Sequence, residues 1–593
     1  MNNNEENTVF MEENDNGDED YYHSEDEDNE EGGVNIRVEI EGDEEEDDDD
    51  DDEYVDENGD GEDDEDDDYY EDEPDDDDGA AIDIAQFLNA GVQPSRVHQL
   101  LALIQAFHGS AGYPVGYPSR RRPRTPSPPP EPDLERGNEL LNSGEFGRVN
   151  SAYVPPRGNK RNVAGRLWMR ELKPRSVNPL ALGESILPSD PGKVVDEYED
   201  SAYSGQYSED GSLFATCDKD FKLRIYKTAG DKLICDRVIQ GSPGRWTITD
   251  HNLSLDNHWL IYSSITPYVY LTRTAADAPK THHQLDFSTG EGDGGLWSIR
   301  FSGDGREIVA GGRGRIYGKY FVYDIESRTV IHSVNAHTND VNAVCFAEPT
   351  SSQVLFSGSD DRLVKVWDRR SMGTGANCSP SGVLVGHSEG ITYVTSKGDN
   401  RYLASNGKDQ KMLLWDLRKM YSGQDRKLPR IRDTGFDYRQ GYYPGRRSYK
   451  VPGDCSVMTF QGHSVLKTLI RCHFSPVHST GQRYLYTGSS DGKVYIYRLD
   501  GTLARTLDTC AAFQRYAKVD DPPSLIARDV SWHPYHPTII SSVGAWYTSH
   551  DVEGGIVQHS FTRNDGIESD QSEVSDTESR PTPPPRRRFR FAF

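Results

Sequence analysis

The chain is poor in the residues from which many active sites are built. Cysteine occurs seven times in 593 residues, at Cys217, Cys235, Cys345, Cys378, Cys455, Cys472 and Cys510. The count is odd and no two stand in CxxC spacing, so neither a zinc site nor a disulfide framework is encoded. No run of about 18 apolar residues exists, so no transmembrane helix is expected. The N-terminus is polar and acidic, without the apolar core of a secretory signal peptide. No GxSxG, HExxH, P-loop or kinase signature is expected. The glycine-rich stretches at 290–295 and 311–318 read as turns, because neither opens the helix that a phosphate cradle needs. No metal, cofactor, small-molecule substrate or membrane partner is expected. These absences argue against an enzyme and for a protein of the nucleus and cytoplasm.

What is present is unevenly spread. Residues 1–79 hold 44 of the 100 Asp and Glu and one of the 64 Lys and Arg, Arg37. The rest, 80–593, carries 56 acidic against 63 basic residues, so the net charge of −36 describes the tail and not the folded part. Charges packed as at Asp43–Asp52 and Asp63–Asp78 repel, with little apolar surface to offset the entropy of ordering, and disorder is expected. The tail reads either as a solubilising segment or as a lure for a basic partner such as a histone.

An apolar island follows at 80–108. Ile82, Ile84, Phe87 and Leu88, then Val97, Leu100, Leu101, Leu103, Ile104 and Phe107, recur at three- and four-residue spacing. That spacing predicts a short helical hairpin, broken near Gly91–Pro94, which must dock on the rest of the chain or on a partner. Residues 109–196 read as a linker and propeller-edge segment. The linker carries Arg120, Arg121, Arg122 and Arg124 beside Thr125-Pro126 and Ser127-Pro128. The basic cluster is either a nuclear localisation signal or a solvated linker. Residues 562–593 read as a disordered basic tail.

From 197 to 561 short β-rich runs recur, separated by Gly, Asp and Asn turns, with a period of roughly 40–50 residues. That period predicts an all-β propeller. Three units are clear: Ala336-His337 to Trp367-Asp368, Gly386-His387 to Trp415-Asp416, and Gly462-His463 to Tyr497-Arg498. Four weaker units bring the expected number of blades to seven. An Asp stands six residues before the closing aromatic in four of them, as Asp361, Asp409, Asp491 and Asp220 before Trp367, Trp415, Tyr497 and Tyr226. A carboxylate in the turn expected between the third and fourth strands can accept from backbone amides and from the blade histidine, and the Trp or Tyr is expected to close the fourth strand. His337, His387 and His463, with Asp361, Asp409 and Asp491, are therefore expected to be structural. A basic, aromatic insertion spans 419–458, placed between the fifth and sixth blades. The last unit lacks a WD dipeptide, which leaves its closure open; residues 145–195 could supply a closing strand or fold along the bottom face.

Two consecutive units end in Trp-Asp-x-Arg, Trp367-Asp368-Arg369-Arg370 and Trp415-Asp416-Leu417-Arg418. These boxes, with PGDCSVMTFQGHSVLKTLIRCHFSPVHSTGQRYLYTGSSDGKVYIY around the sixth unit, resemble the WD-repeat substrate receptors of cullin-4 RING ubiquitin ligases. The resemblance implies that Trp367, Asp368, Arg370, Trp415, Asp416 and Arg418 face the ligase adaptor, damaged-DNA-binding protein one, and through it cullin-4. It implies a scaffold that presents a protein target for ubiquitination by other subunits. The rival reading is a nuclear, histone- or nucleic-acid-associated WD-repeat scaffold with no ligase link, suggested by the acidic tail and the basic segments.

Overall fold

The computed structural model describes residues 133–146 and 186–561, apart from 231, 290–293, 374–377, 520–521, 546–552 and parts of 425–450. The acidic tail, the 80–108 hairpin, the basic linker cluster and the C-terminal tail lie outside the described residues.

Seven antiparallel sheets follow one another around a ring. Six take their four main strands in chain order: blade one at 202–240, two at 250–286, three at 296–337, four at 341–384, five at 391–461 and six at 472–508. Blade seven takes three strands from 525–560 and its outermost strand from β1, Lys193–Tyr198. Lys193 pairs with Gln558 and Tyr198 with Gly554. This pairing answers the open closure: the first strand of the propeller supplies the fourth strand of the last blade and joins the two ends of the ring. The propeller thus begins at 193, inside the segment read as linker and edge.

Each blade's first strand lies at the centre and its fourth at the rim. The end of the ring where third strands finish is called the lower face here. The upper face is where each fourth strand leads into the next blade. Large side chains fill the spaces between blades, with Trp367, Trp415, Tyr226, Tyr320 and Tyr497 almost wholly buried.

The turns explain the repeating residues. The residue after each of Asp220, Asp361, Asp409 and Asp491 has left-handed φ: Phe221 (59°), Arg362 (74°), Gln410 (64°) and Gly492 (75°). The lower turns of blades one to three share a second mark, Ser-x-Asp followed by Gly or Asn. Ser208, Ser254 and Ser302 donate to Asp210, Asp256 and Asp304 at 2.5–2.6 Å. Gly211, Asn257 and Gly305 then take the left-handed position, which Gly and Asn adopt at least cost.

The insertion is placed differently from the sequence expectation. Trp415-Asp416 closes the third strand of blade five, Lys411–Asp416, and the fourth strand is Met458–Gln461. Residues between them therefore interrupt blade five rather than separate it from blade six. Tyr421–Ser422 adds a short fifth strand to blade four. Leu428 and Ile431 then pack near Val383 and Val385. Further along, Lys467 N donates to the Tyr438 carbonyl at 2.8 Å, which brings this part of the insertion to the upper face.

Candidate functional site

Blades four and five are each threaded by one polar relay that runs from the upper turn down to the tryptophan near the lower end of the third strand. In blade four, Trp367 Nε1 donates to Ser357 Oγ (2.9 Å), which lies 2.7 Å from His337 Nε2. His337 Nδ1 faces Asp361 at 2.8 Å. Burial holds His337 below the ordinary histidine pKa, so the ring is neutral: Nδ1–H donates to the carboxylate and Nε2 accepts from the serine hydroxyl. Burial alone would raise the pKa of Asp361, but His337 and Lys365 hold it below the usual value. Blade five repeats the geometry with Trp415, Ser405, His387 and Asp409 at 2.8, 2.7 and 3.1 Å. Every buried polar atom of the relay has a partner, which fixes the tryptophan and the aspartate that follows it.

Blade six departs from this pattern. His463 Nδ1 meets the Tyr497 hydroxyl at 3.1 Å and its Nε2 meets Asn406 Oδ1 at 2.9 Å. Asp491 instead accepts from Lys493 N and the Tyr495 hydroxyl. The expected His463–Asp491 pair is absent because a tyrosine hydroxyl reaches the histidine directly, and threonine, Thr487, stands where the other blades have serine. In blade one Asp218, not Asp220, holds the turn, accepting from Lys222 N and pairing with Arg224.

The stretch Gly386-His387-Ser388-Glu389-Gly390 does have the GxSxG spacing of a nucleophile elbow, a correction to the expected absence of that motif. It leads into a strand rather than a helix, and its histidine is held by Asp409 and Ser405. It is the turn of the blade-five relay.

Beyond the relays the chain turns outward. Asp368 accepts from Arg370 N at 3.0 Å, and Asp416 accepts from Arg418 N at 3.0 Å. Each arginine folds back in a two-pronged pair on its own aspartate. The distances are 2.9 and 2.7 Å for Arg370 and 3.1 and 2.7 Å for Arg418. The Arg370 hydrogen bond holds Asp368 below the ordinary carboxylate range. Burial would raise Asp416, and Arg418 more than offsets it. The two arginine side chains are 68% and 67% exposed, so both are presented to solvent. Arg369, between Asp368 and Arg370, is half-buried on Glu307 at 2.6 and 2.9 Å and ties blade four to blade three.

A segment that sequence patterning did not mark as helical completes this face. Helix α1, Leu134–Asn142, is capped by Asp133 and lies beside the lower turns of blades five and six. Arg136 donates to the Val457 carbonyl, and Leu140 and Phe146 enter the core beside Tyr402 and Trp415. A Cβ on Gly137 would sit 2.2 Å from Asp500 Cβ, so this contact requires glycine. Glu145 pairs with Arg401, whose guanidinium also lies 3.4 Å from Asp416.

The centre of the ring holds a buried charged network. Arg471 donates to Asp250 (2.8 Å), Asp529 (3.0 Å) and Ser204. Arg300 donates to Asp250 (2.6 Å) and to the Tyr393 hydroxyl (2.5 Å). His473 lies 3.2 Å from Asp529. Burial would raise the pKa of both aspartates, but the arginines keep them ionised.

Comparison with known proteins agrees with the repeat reading. The WD domain, G-beta repeat model matches residues 328–368, 378–416 and 454–498. A LEC14B homolog from Prunus armeniaca is 42% identical over 383 residues, covering 63% of this chain and 75% of the relative. A DDB1- and CUL4-associated factor 11 homolog from Caenorhabditis elegans is 34% identical over 412 residues, covering 66% and 68%. A homolog of the same name from Caenorhabditis briggsae is 40% identical over 253 residues, 42% of each chain.

Proposed function

The chain belongs to the WD-repeat family that contains the LEC14B proteins and the DDB1- and CUL4-associated factor 11 homologs, and on that premise we propose that it is a substrate receptor of a cullin-4 ubiquitin ligase. In this reading the lower face binds the adaptor DDB1, and through it cullin-4, while the upper face holds a protein target. Ubiquitin transfer is performed by other subunits, and this chain positions rather than catalyses.

The observation that carries the reading is the pair of exposed arginines on adjacent blades, each fixed at its base by a buried Trp-Ser-His-Asp relay. Their pairing with Asp368 and Asp416 is solvent-exposed and therefore weak, so a partner can recruit the guanidiniums at small cost. A planar fork on a rigid base suits bidentate recognition of carboxylates and carbonyls. Helix α1 and Arg401 extend the same face beside Arg418. Among exposed apolar side chains, Val477 and Tyr535 stand on lower turns of blades six and seven, adding desolvation area to such an interface.

Photo-crosslinking with a benzophenone amino acid at Lys419 or at Lys219 tests the orientation. Lys419 follows the blade-five box on the lower face and Lys219 stands on an upper turn. Adaptor crosslinks are expected from Lys419 and not from Lys219. Crosslinks from Lys219 alone would reverse the assignment of faces, and none from either would remove the adaptor from the account.

A further inference from the structure

We propose that the upper mouth of the ring is a receptor for a peptide carrying a carboxylate beside an aromatic or branched aliphatic residue. The proposal deepens the reading above by giving the chemistry of the target, and it rests on the upper face being the target face.

Five first strands carry a β-bulge near their upper end. The ladder skips one residue in each: Tyr203, Trp297, Asn342, Thr392 and Arg528 in blades one, three, four, five and seven. A bulged residue leaves the ladder and its side chain is re-aimed. Contacts of four of these show the new direction to be the upper mouth. Asn342 donates to Asp360 on an upper turn. Arg528 Nε donates to Thr468 in the upper loop before blade six. Tyr203 and Trp297 both meet Trp246, from the upper loop between blades one and two, in edge-on ring contacts of 5.4 and 6.4 Å.

Arg528 supplies the charge. It is 6% exposed, its Nη1 donates to the Tyr203 carbonyl, and its guanidinium lies 4.7 Å over the Tyr203 ring. Its neighbours in the channel do not neutralise it. Asp250 is shared by Arg300 and Arg471, and Asp529 by Arg471 and His473. Among the described residues no carboxylate lies within ion-pair distance of Arg528, and its Nη2 has no hydrogen-bond partner. Three arginines thus face two aspartates in a desolvated channel. A buried cation without a counter-ion is costly, and a ligand carboxylate would relieve that cost.

Trp246 supplies the apolar wall. It is 52% exposed and its φ is +71°, a left-handed conformation that a bulky side chain rarely adopts. Strain of this kind persists where surrounding structure holds a side chain for use. Exposed Ile316 and Tyr317 lie on the upper turn of blade three. Tyr438, brought to this face by the insertion, stands under Lys408 at 4.3 Å and adds a further ring.

The test pans a phage-displayed random heptapeptide library on the full chain. Enrichment of Asp or Glu next to Trp, Phe, Leu or Ile is expected. Trp246→Ala and Arg528→Gln should each lower capture of the selected peptides by about tenfold or more, with melting temperatures near that of the parent. Trp246 is exposed, so its variant carries the test should Arg528→Gln fail to fold. Selected peptides without a carboxylate, no selection at all, or capture unchanged in Trp246→Ala would overturn the proposal. So would displacement of the selected peptides by a dT20 oligonucleotide, which would assign the mouth to phosphate. Adaptor capture is measured on the same preparations. Its absence from the parent chain would sink the ligase reading while leaving the peptide result to stand.

Discussion

Ser405 is the hinge of the blade-five relay, and its hydroxyl links two side chains that are fully buried, His387 and Trp415. Replacing it with alanine removes the acceptor of the Trp415 indole N–H and the partner of His387 Nε2 in one step. Both atoms then remain buried without a partner. An unsatisfied buried polar group costs about 1–3 kcal/mol, so Ser405→Ala should destabilise by about 2–4 kcal/mol. Unfolding entropy of roughly 2 cal/mol/K per residue, over the roughly 370 residues of the ring, converts this to a melting shift of about 3–5 °C. Scanning calorimetry reads it directly, with Ser371→Ala, at an exposed turn, as a control expected to shift by less than 1 °C, about 0.5 kcal/mol at most. Ser357→Ala should behave like Ser405→Ala. A melting temperature unchanged in both would mean that the relays are tolerated polar residues and do not fix Trp367 and Trp415.

Three further outcomes follow from the same geometry. His251 and His463 are fully buried with pKa values lowered to about 4, so the unfolded chain binds more protons than the folded one between about pH 6.5 and 4. Stability should therefore fall as pH drops through that window, and a melting temperature flat from pH 6.5 to 4.5 would contradict it. Arg471→Met leaves Asp250 and Asp529 short of a counter-ion and should cost roughly 3–5 kcal/mol, read by urea unfolding or as lost soluble protein. Gly137→Leu cannot fit against Asp500, so α1 should leave the lower face and become cleavable by limited proteolysis, while the ring keeps its melting temperature within a few degrees.

The parts of the fold that could be read from sequence are those whose marks lie close together. An Asp six residues before an aromatic, and a histidine at the start of the same unit, are local signals, and they located blades four to six. Weak blades one to three carried a local mark as well, the Ser-x-Asp-Gly/Asn turn, which a search for Trp-Asp dipeptides passes over. The seam was hidden because Lys193–Tyr198 pairs with residues some 360 positions away, and strand pairing at that distance leaves no pattern in either segment. The insertion was misplaced because Trp-Asp closes a third strand, not a blade. Helix α1 was missed because Gly137 in a nine-residue helix lowers helix propensity by about 1 kcal/mol, and its reason, the turn at Asp500, is far off in sequence. The central network and the upper mouth were illegible for a related cause. Asp250, Arg300, Arg471, Arg528 and Asp529 look like ordinary polar residues at strand ends until the ring closes and brings them to one axis.

The central claim is that Arg370 and Arg418 present a lower face to the adaptor. Biolayer interferometry of the purified chain against purified DDB1 tests it most directly, using the Arg370→Ala, Arg418→Ala double variant, with Trp246→Ala as the upper-face control. The account expects the double variant to bind about tenfold or more weakly, with its melting temperature unchanged, and Trp246→Ala to bind as the parent does. Equal affinity for the parent and the double variant would contradict it.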